Sequence, residues 1–228
     1  GVLDDANDPY STALGMQFSP QVREPWEIYV NADGKRFVRE DHPSVDEREH
    51  ALLAQKDQRM FVVFDDGIRQ NAPALNPIDP ELHDKFGNHP QYTKADTLSG
   101  LAQQMGVNAA NLEATVAAYN AAVDSGKDKE FERIRMFRKI EQGPFYAIHA
   151  GGITVVSPAG LNVTADLQVV KEDGSPIPNL YAAGEVLGFG RLSGRAFVNG
   201  MSLMPAMTFG RLLGQKLLKW EGARAAAE

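Results

Sequence analysis

The stretch 180–211, LYAAGEVLGFGRLSGRAFVNGMSLMPAMTFGR, constrains this chain more than any other. It opens on a short buried-strand pattern, Leu180-Tyr181-Ala182-Ala183, and turns at Gly184-Glu185. It then crosses a loop carrying Gly188, Gly190, Gly194 and Gly200 and enters a helix near Pro205. Small residues at a strand end let a flat, bulky group lie against backbone, because no Cβ intervenes. A carboxylate just past the strand can accept hydrogen bonds from sugar-like hydroxyls. N–H groups opening the next helix can hold an electron-rich oxygen. The combination suits a nucleotide-type cofactor, although an ordinary strand–loop–helix connection with turn glycines has the same residues.

The rest of the chain narrows the options. Its 228 residues allow one large domain or two small ones. A net charge of −7 with dispersed basic residues argues against a nucleic-acid surface. The absence of cysteine removes disulfides, thiolate metal sites and thiol catalysis and leaves the compartment undecided; we expect a cytoplasmic protein. No apolar run reaches membrane-spanning length, and the first residues lack a charged-then-apolar signal pattern. His42, His50, His83 and His89 have no metal-site spacing, so no metal is expected.

Taken in order, residues 1–25 read as irregular and turn-rich. Residues 26–30 alternate like a strand, Asn31-Ala32-Asp33-Gly34 turns, and 35–38 returns, which predicts a β-hairpin. Ser44 and Glu47 have capping-box spacing ahead of a helix over 45–55, with Leu52 and Leu53 inward. The apolar run 60–64 predicts a buried strand. Residues 65–90 read as loop. Two helices follow, over 97–105 (Leu98, Leu101, Ala102 and Met105 on one face) and 109–124 (Leu112, Val116, Tyr119 and Val123 on one face). The run 127–138 is charged and reads as solvated.

After a rigid turn at Gly143-Pro144-Phe145-Tyr146, strands are expected over 147–155, 161–163 and 167–170, with a turn at Glu172-Asp173-Gly174. A last helix over 204–221 shows Leu213, Leu217 and Trp220 on one face. The plan is α+β. A small module spans 1–147, with a loop-like start, and a β-rich piece ending in a long helix spans 148–228.

Three segments carry a resemblance. Gly151-Gly152-Ile153-Thr154-Val155, the run DGSPIPNLYAAGE over 173–185, and Met207-Thr208-Phe209-Gly210-Arg211 resemble the C-terminal end of the FAD-dependent fumarate reductase/succinate dehydrogenase flavoprotein superfamily. Soluble fumarate reductases and 3-ketosteroid dehydrogenases belong to that group. The resemblance is strong over about 151–228, weaker over 26–150 and slight before that. It implies a capping (clamp) domain over 1–147 and, over 148–228, the C-terminal strand and helix segment of a Rossmann-like FAD-binding domain. The G-x-G-x-x-G turn that holds the dinucleotide pyrophosphate is absent, since Gly188-Phe189-Gly190 does not sit in a βα pattern. The chain therefore reads as the C-terminal part of a longer enzyme, inactive alone and needing the N-terminal half of its FAD domain. A chain that lacks that element, or takes it from another polypeptide, is the other reading.

The implied activity is an FAD-dependent addition or removal of hydrogen across a C–C or C=C bond beside a carboxylate or carbonyl. The substrate is a small molecule, and the electron donor or acceptor is unnamed. By resemblance, Gly184 and Glu185 bind the flavin's sugar chain, and Ser202, Leu203 and Met204 set backbone N–H groups on its ring. The family's proton-donating arginine falls on Ser44 here, and Arg48 lies one helical turn on; a solvated ion pair with Glu49 and Asp46 is the plainer role. The family's carboxylate-binding histidine falls on Ile148, with His149 one place away, where a strand reverses side-chain direction. Arg191 and Arg195 lie in the Gly-rich loop. Arg195 is the candidate clamp for a carboxylate, although Ser193-Gly194-Arg195-Ala196-Phe197 departs from the family's Asn-Arg-Leu-Gly-Gly. These mismatches speak against fumarate itself as substrate. A 3-ketosteroid dehydrogenase-like enzyme is the alternative within the class, against which stands the lack of tyrosine over 182–228. A non-catalytic domain that lost its nucleotide-binding half is the alternative outside it.

Overall fold

A computed structural model describes residues 24–73, 86–151, 157, 159–190, 200 and 202–218. The chain divides into two compact units, residues 1–153 and 154–228.

The first unit is built on a four-stranded antiparallel sheet. Its strands are β1 (Ile28–Val30), β2 (Arg59–Asp65), β3 (Tyr92–Ala95) and β4 (Phe145–Gly151), in the order β1-β2-β4-β3. Among the described residues this unit also has helices α1 (Val45–Leu53), α2 (Asp66–Asn71), α3 (Leu98–Met105) and α4 (Ala109–Ser125). The two apolar-periodic segments over 97–105 and 109–124 form as read. Thr97 Oγ1 accepts from Gly100 N at 3.0 Å to start α3, and Asn108 Oδ1 accepts from Asn111 N at 3.0 Å to start α4. Leu101, Ala102, Met105, Leu112, Val116 and Tyr119 are buried, as their spacing predicts.

Elsewhere long-range contacts override local pattern. The expected hairpin reduces to its turn and one bridge, Val30 to Arg36. The Tyr29 N–H, which a longer return strand would bond, is taken by the Glu40 carboxylate at 3.3 Å, and β1 pairs with β2 instead. Ser44 precedes α1, but its side chain makes no cap bond, so the capping box does not form. Its N–H goes to His42 Nδ1 at 3.1 Å. Leu52 is buried whereas Leu53 faces solvent. The span 65–90 is not all loop. Asp65 caps the six-residue α2 through Ile68 N at 2.8 Å, too short a helix to show a period.

The charged run 127–138 is not simply solvated. Arg133 and Asp128 are buried. Arg133 Nη1 donates to Glu27 O at 2.7 Å and its Nη2 to Pro25 O. Asp41 Oδ2 accepts from Ile134 N at 2.8 Å and Arg135 N at 2.7 Å. The Asp65 carboxylate accepts from Glu141 N and Gln142 N at 2.8 and 2.7 Å. A charged segment is thus held by buried carboxylates and guanidinia as well as by the packing of Met136 on the core and of Phe137 on Trp26.

In the second unit, β5 (Gln168–Val170) and β6 (Pro176–Tyr181) form an antiparallel ribbon. Asp173 Oδ1 closes its turn by accepting from Ser175 N at 2.8 Å. Residues 161–163 give only a bridge, Val163 to Val169. The run 180–183 is a strand only to Tyr181 and is not buried throughout: Leu180 is 45% exposed whereas Ala182 is buried. The ribbon leads into a 3-10 turn at Gly184–Leu187, and α5 spans Leu203–Leu217. Leu167, Val169, Ala182 and Leu187 form a small core, with Phe209 and Leu213 packed against it. Trp220 lies outside the described residues. Among the described residues no helix is long and apolar enough to cross a membrane.

Candidate functional site

In the second unit the sequence brings a carboxylate and a helix start together. Ala182 N donates to Leu167 O at 3.0 Å, fixing the end of the ribbon ahead of the turn. Gly184 then takes φ +82°, a conformation that side chains disfavour, and its α-carbon faces α5. A Cβ there would come 3.3 Å from Ala206 Cβ, in the first turn of α5. Behind the turn, a Cβ on Gly160 would overlap Gly188 N at 2.1 Å, and Leu161 N donates to Val186 O at 2.8 Å. The 3-10 turn is therefore pinned between two close backbone approaches. Glu185, at its crest, is exposed.

Ser202, Leu203 and Met204 are exposed at the start of α5. The Ser202 side chain does not cap its own helix. The Met204 N–H is engaged by Gly200 O at 2.9 Å, so of the three amides it is the one already committed. Arg191 and Arg195 lie outside the described residues.

In the first unit the structure separates the two expected catalytic side chains. Arg48, on α1, is half-buried rather than a solvated ion pair, and its guanidinium hydrogen-bonds the buried Tyr29 side chain. Burial pulls its pKa below the ordinary arginine value, against the opposing pull of Tyr29 and Glu49. Tyr29, Val62, Ile148 and Tyr92 are register partners across the sheet and share one face. His149, one residue on, points to the other face. Arg48 and His149 therefore do not line one pocket.

His149 instead meets a residue that sequence reasoning missed. Arg59 Nε donates to His149 Nε2 at 2.9 Å, and the Phe61 ring stacks on the imidazole at 4.9 Å between centroids. Arg59 pairs with Gly151, and Phe61 with His149, so all three side chains share a face. Burial, then the Arg59 charge, pushes the His149 pKa down to about 4. The imidazole is neutral at ordinary pH. Alternation from Arg59 to Phe61 was visible in the sequence, but nothing local ties either to a residue ninety positions away.

Residues 10–201 match the family described as FAD binding domain. The chain belongs to that family. This FAD-binding family member is 34% identical over 215 residues to a fumarate reductase (cytochrome) of Shewanella frigidimarina, over 94% of this chain and 36% of that protein. It is 35% identical over 215 residues to the NADH:acrylate oxidoreductase of Vibrio harveyi, over 93% of this chain and 20% of that protein. Its fold is similar, with a TM-score of 0.69 and 29% identity, to the crystal structure of 3-ketosteroid delta1-dehydrogenase from Sterolibacterium denitrificans in complex with 1,4-androstadiene-3,17-dione. That match covers 86% of this chain and 39% of that one. The FAD-binding family member thus spans between 20% and 39% of the length of these relatives. The fold is a mixture of helix and strand, with neighbours among FAD-dependent flavoproteins.

The residues present suit part of an FAD site. Gly184 supplies a surface cleared of side chain, Glu185 an exposed acceptor, and Ser202 and Leu203 an exposed helix start. A pyrophosphate-binding turn is not among the motifs of this sequence.

Proposed function

We propose that the complete protein is an FAD-dependent oxidoreductase that adds or removes hydrogen across a carbon–carbon bond beside a carboxylate or carbonyl. The closure of Gly184 on Ala206 beneath an exposed Glu185 carries the reading, because it sets one acceptor, within the family-matched region, beside one helix start just past its end. In this reading residues 148–228 contribute the C-terminal part of the FAD-binding domain and residues 1–147 a capping domain. Glu185 accepts hydrogen bonds from the cofactor's sugar-chain hydroxyls, and the Ser202 and Leu203 amides face its ring system. When bound, FAD supplies the two-electron hydride chemistry.

The chain's own residues then hold the substrate and exclude water. The named relatives act on fumarate and acrylate, both of which carry a C=C bond next to a carboxylate. A carboxylate substrate needs a fixed cation, and Arg59, held by the neutral His149, offers one. Arg48, bonded to a buried phenol on the opposite face, serves to hold α1 on the sheet. A screen of the complete, flavin-loaded protein with an artificial electron acceptor or donor tests the reading. It should show turnover of α,β-unsaturated or saturated carboxylates; turnover of ketosteroids alone would move the protein to the steroid-type reading. A complete protein that neither binds FAD nor turns over either class would leave only a non-catalytic domain.

A further inference from the structure

Arg59 is an unusual cation. It is half-buried at the start of β2, and its Nε is bonded to His149 Nε2 at 2.9 Å, a nitrogen rather than a carboxylate. Its guanidinium lies 5.9 Å from the Phe61 ring centroid. Among the described residues no acid pairs with it, whereas Arg36, Arg39, Arg69 and Arg133 each have a carboxylate within 3.4 Å. A partly desolvated guanidinium is normally compensated by an anion. Histidine cannot provide one.

The chemistry of the bond fixes more. A guanidinium only donates, so His149 Nε2 must be the acceptor and the ring's single proton must sit on Nδ1. The imidazole is then a neutral prop that orients Arg59 without neutralising it, and Phe61 holds both from the adjacent register position. With Nε spent on the histidine, the two terminal nitrogens of Arg59 keep the geometry of a two-point fork.

We propose that Arg59 is a carboxylate-binding residue, aimed by His149 and Phe61, and that its ligand is a planar carboxylate. The assignment rests on the proposed oxidoreductase reading for one point only, that this carboxylate belongs to the substrate. It adds a specificity-determining residue to that reading. The site itself stands on the geometry of β2 and β4.

The test follows the His149 ring by nitrogen NMR of histidine-labelled protein between pH 5 and 7, with malonate, acetate, phosphate and a chloride control. The charged group that the ring faces from the adjoining strand β2 is Arg59, and the His149 backbone N–H donates to Gln91 O at 2.8 Å. Malonate or acetate bound to Arg59 would offset the cation but not the burial, so the His149 pKa should rise from about 4 by the Arg59 share of the shift and stay below the ordinary histidine value of about 6.5. Arg59→Gln should begin with a raised pKa and lose the response to carboxylates, and Arg59→Lys should recover part of it. Dispersion of the other histidine signals checks that each variant is folded.

No response of the wild type beyond the chloride control would overturn the proposal. So would a response that survives in Arg59→Gln, or one to phosphate equal to that to carboxylates. None of these arms needs flavin. A complete protein that binds no FAD yet passes them would lose the oxidoreductase reading and keep the carboxylate site.

Discussion

Arg36 and Glu40, four residues apart, form a buried two-point ion pair, with Nε–Oε1 at 2.8 Å and Nη2–Oε2 at 2.6 Å. Asp128 closes on the same guanidinium at 2.8 Å, Phe131 lies 4.6 Å from it, and Arg133 reaches Glu40 at 3.4 Å. The cluster ties the turn after β1 to the segment beyond α4.

Removing one partner strands the other charges in a dry site. Glu40→Ala should therefore destabilise the protein by about 3–5 kcal/mol, measured by denaturant unfolding. A cost below about 1 kcal/mol would show that the cluster is hydrated and the segment 127–142 loosely held.

The Gly184 turn gives a steric prediction. Gly184→Val places a branched Cβ at φ +82° and against Ala206. The backbone strain alone costs roughly 1–3 kcal/mol. Ala206→Gly in the same protein should recover the contact part of the loss and not the conformational part. Full recovery would mean that φ at this position is freely adjustable.

Stability should fall with acid in two stages. His149 has a folded pKa depressed to about 4, so its contribution is complete above the unfolded value near 6.5 and is lost as pH falls from there towards 4. Asp41 and Asp128 follow. Burial alone would raise their pKa values, but Asp41 is held low by Arg39 and the Arg135 and Ile134 amides, and Asp128 by Arg36 and the Phe131 and Glu130 amides. Their contribution is complete above the unfolded aspartate value, about 3.9, and is lost below it. Thermal denaturation against pH should show both stages, and His149→Asn should abolish the first alone.

What could be read from the sequence was local. The helices with Leu101 and Tyr119, the strand through Val62 and the turn at Asp173 each have their caps, period or turn residues within a few positions. The nearness of the Gly184 turn to the last helix could be read because a Gly-rich connection joins one strand to one helix. The return strand after Gly34 was misread because Glu40 competes for the Tyr29 amide, which no periodicity reports. The run 127–138 was misread because Arg133 meets Glu40, and the Ile134 and Arg135 amides meet Asp41, some ninety residues earlier. Arg59 escaped notice for the same reason. Its partner lies on a strand that only the register of β2 with β4 brings near.

The most direct measurement is FAD affinity in the complete protein, wild type against Glu185→Gln, by equilibrium titration of the apoprotein. A carboxylate that accepts sugar-chain hydroxyls contributes roughly 1.5–3 kcal/mol through charged hydrogen bonds, so the variant should bind FAD about tenfold or more weakly. The glutamine variant should keep the unfolding midpoint of wild-type apoprotein, since Glu185 is exposed. Equal FAD affinity in the two proteins, or no FAD binding by the wild type, would contradict the placement of the cofactor on the Gly184–Glu185 turn.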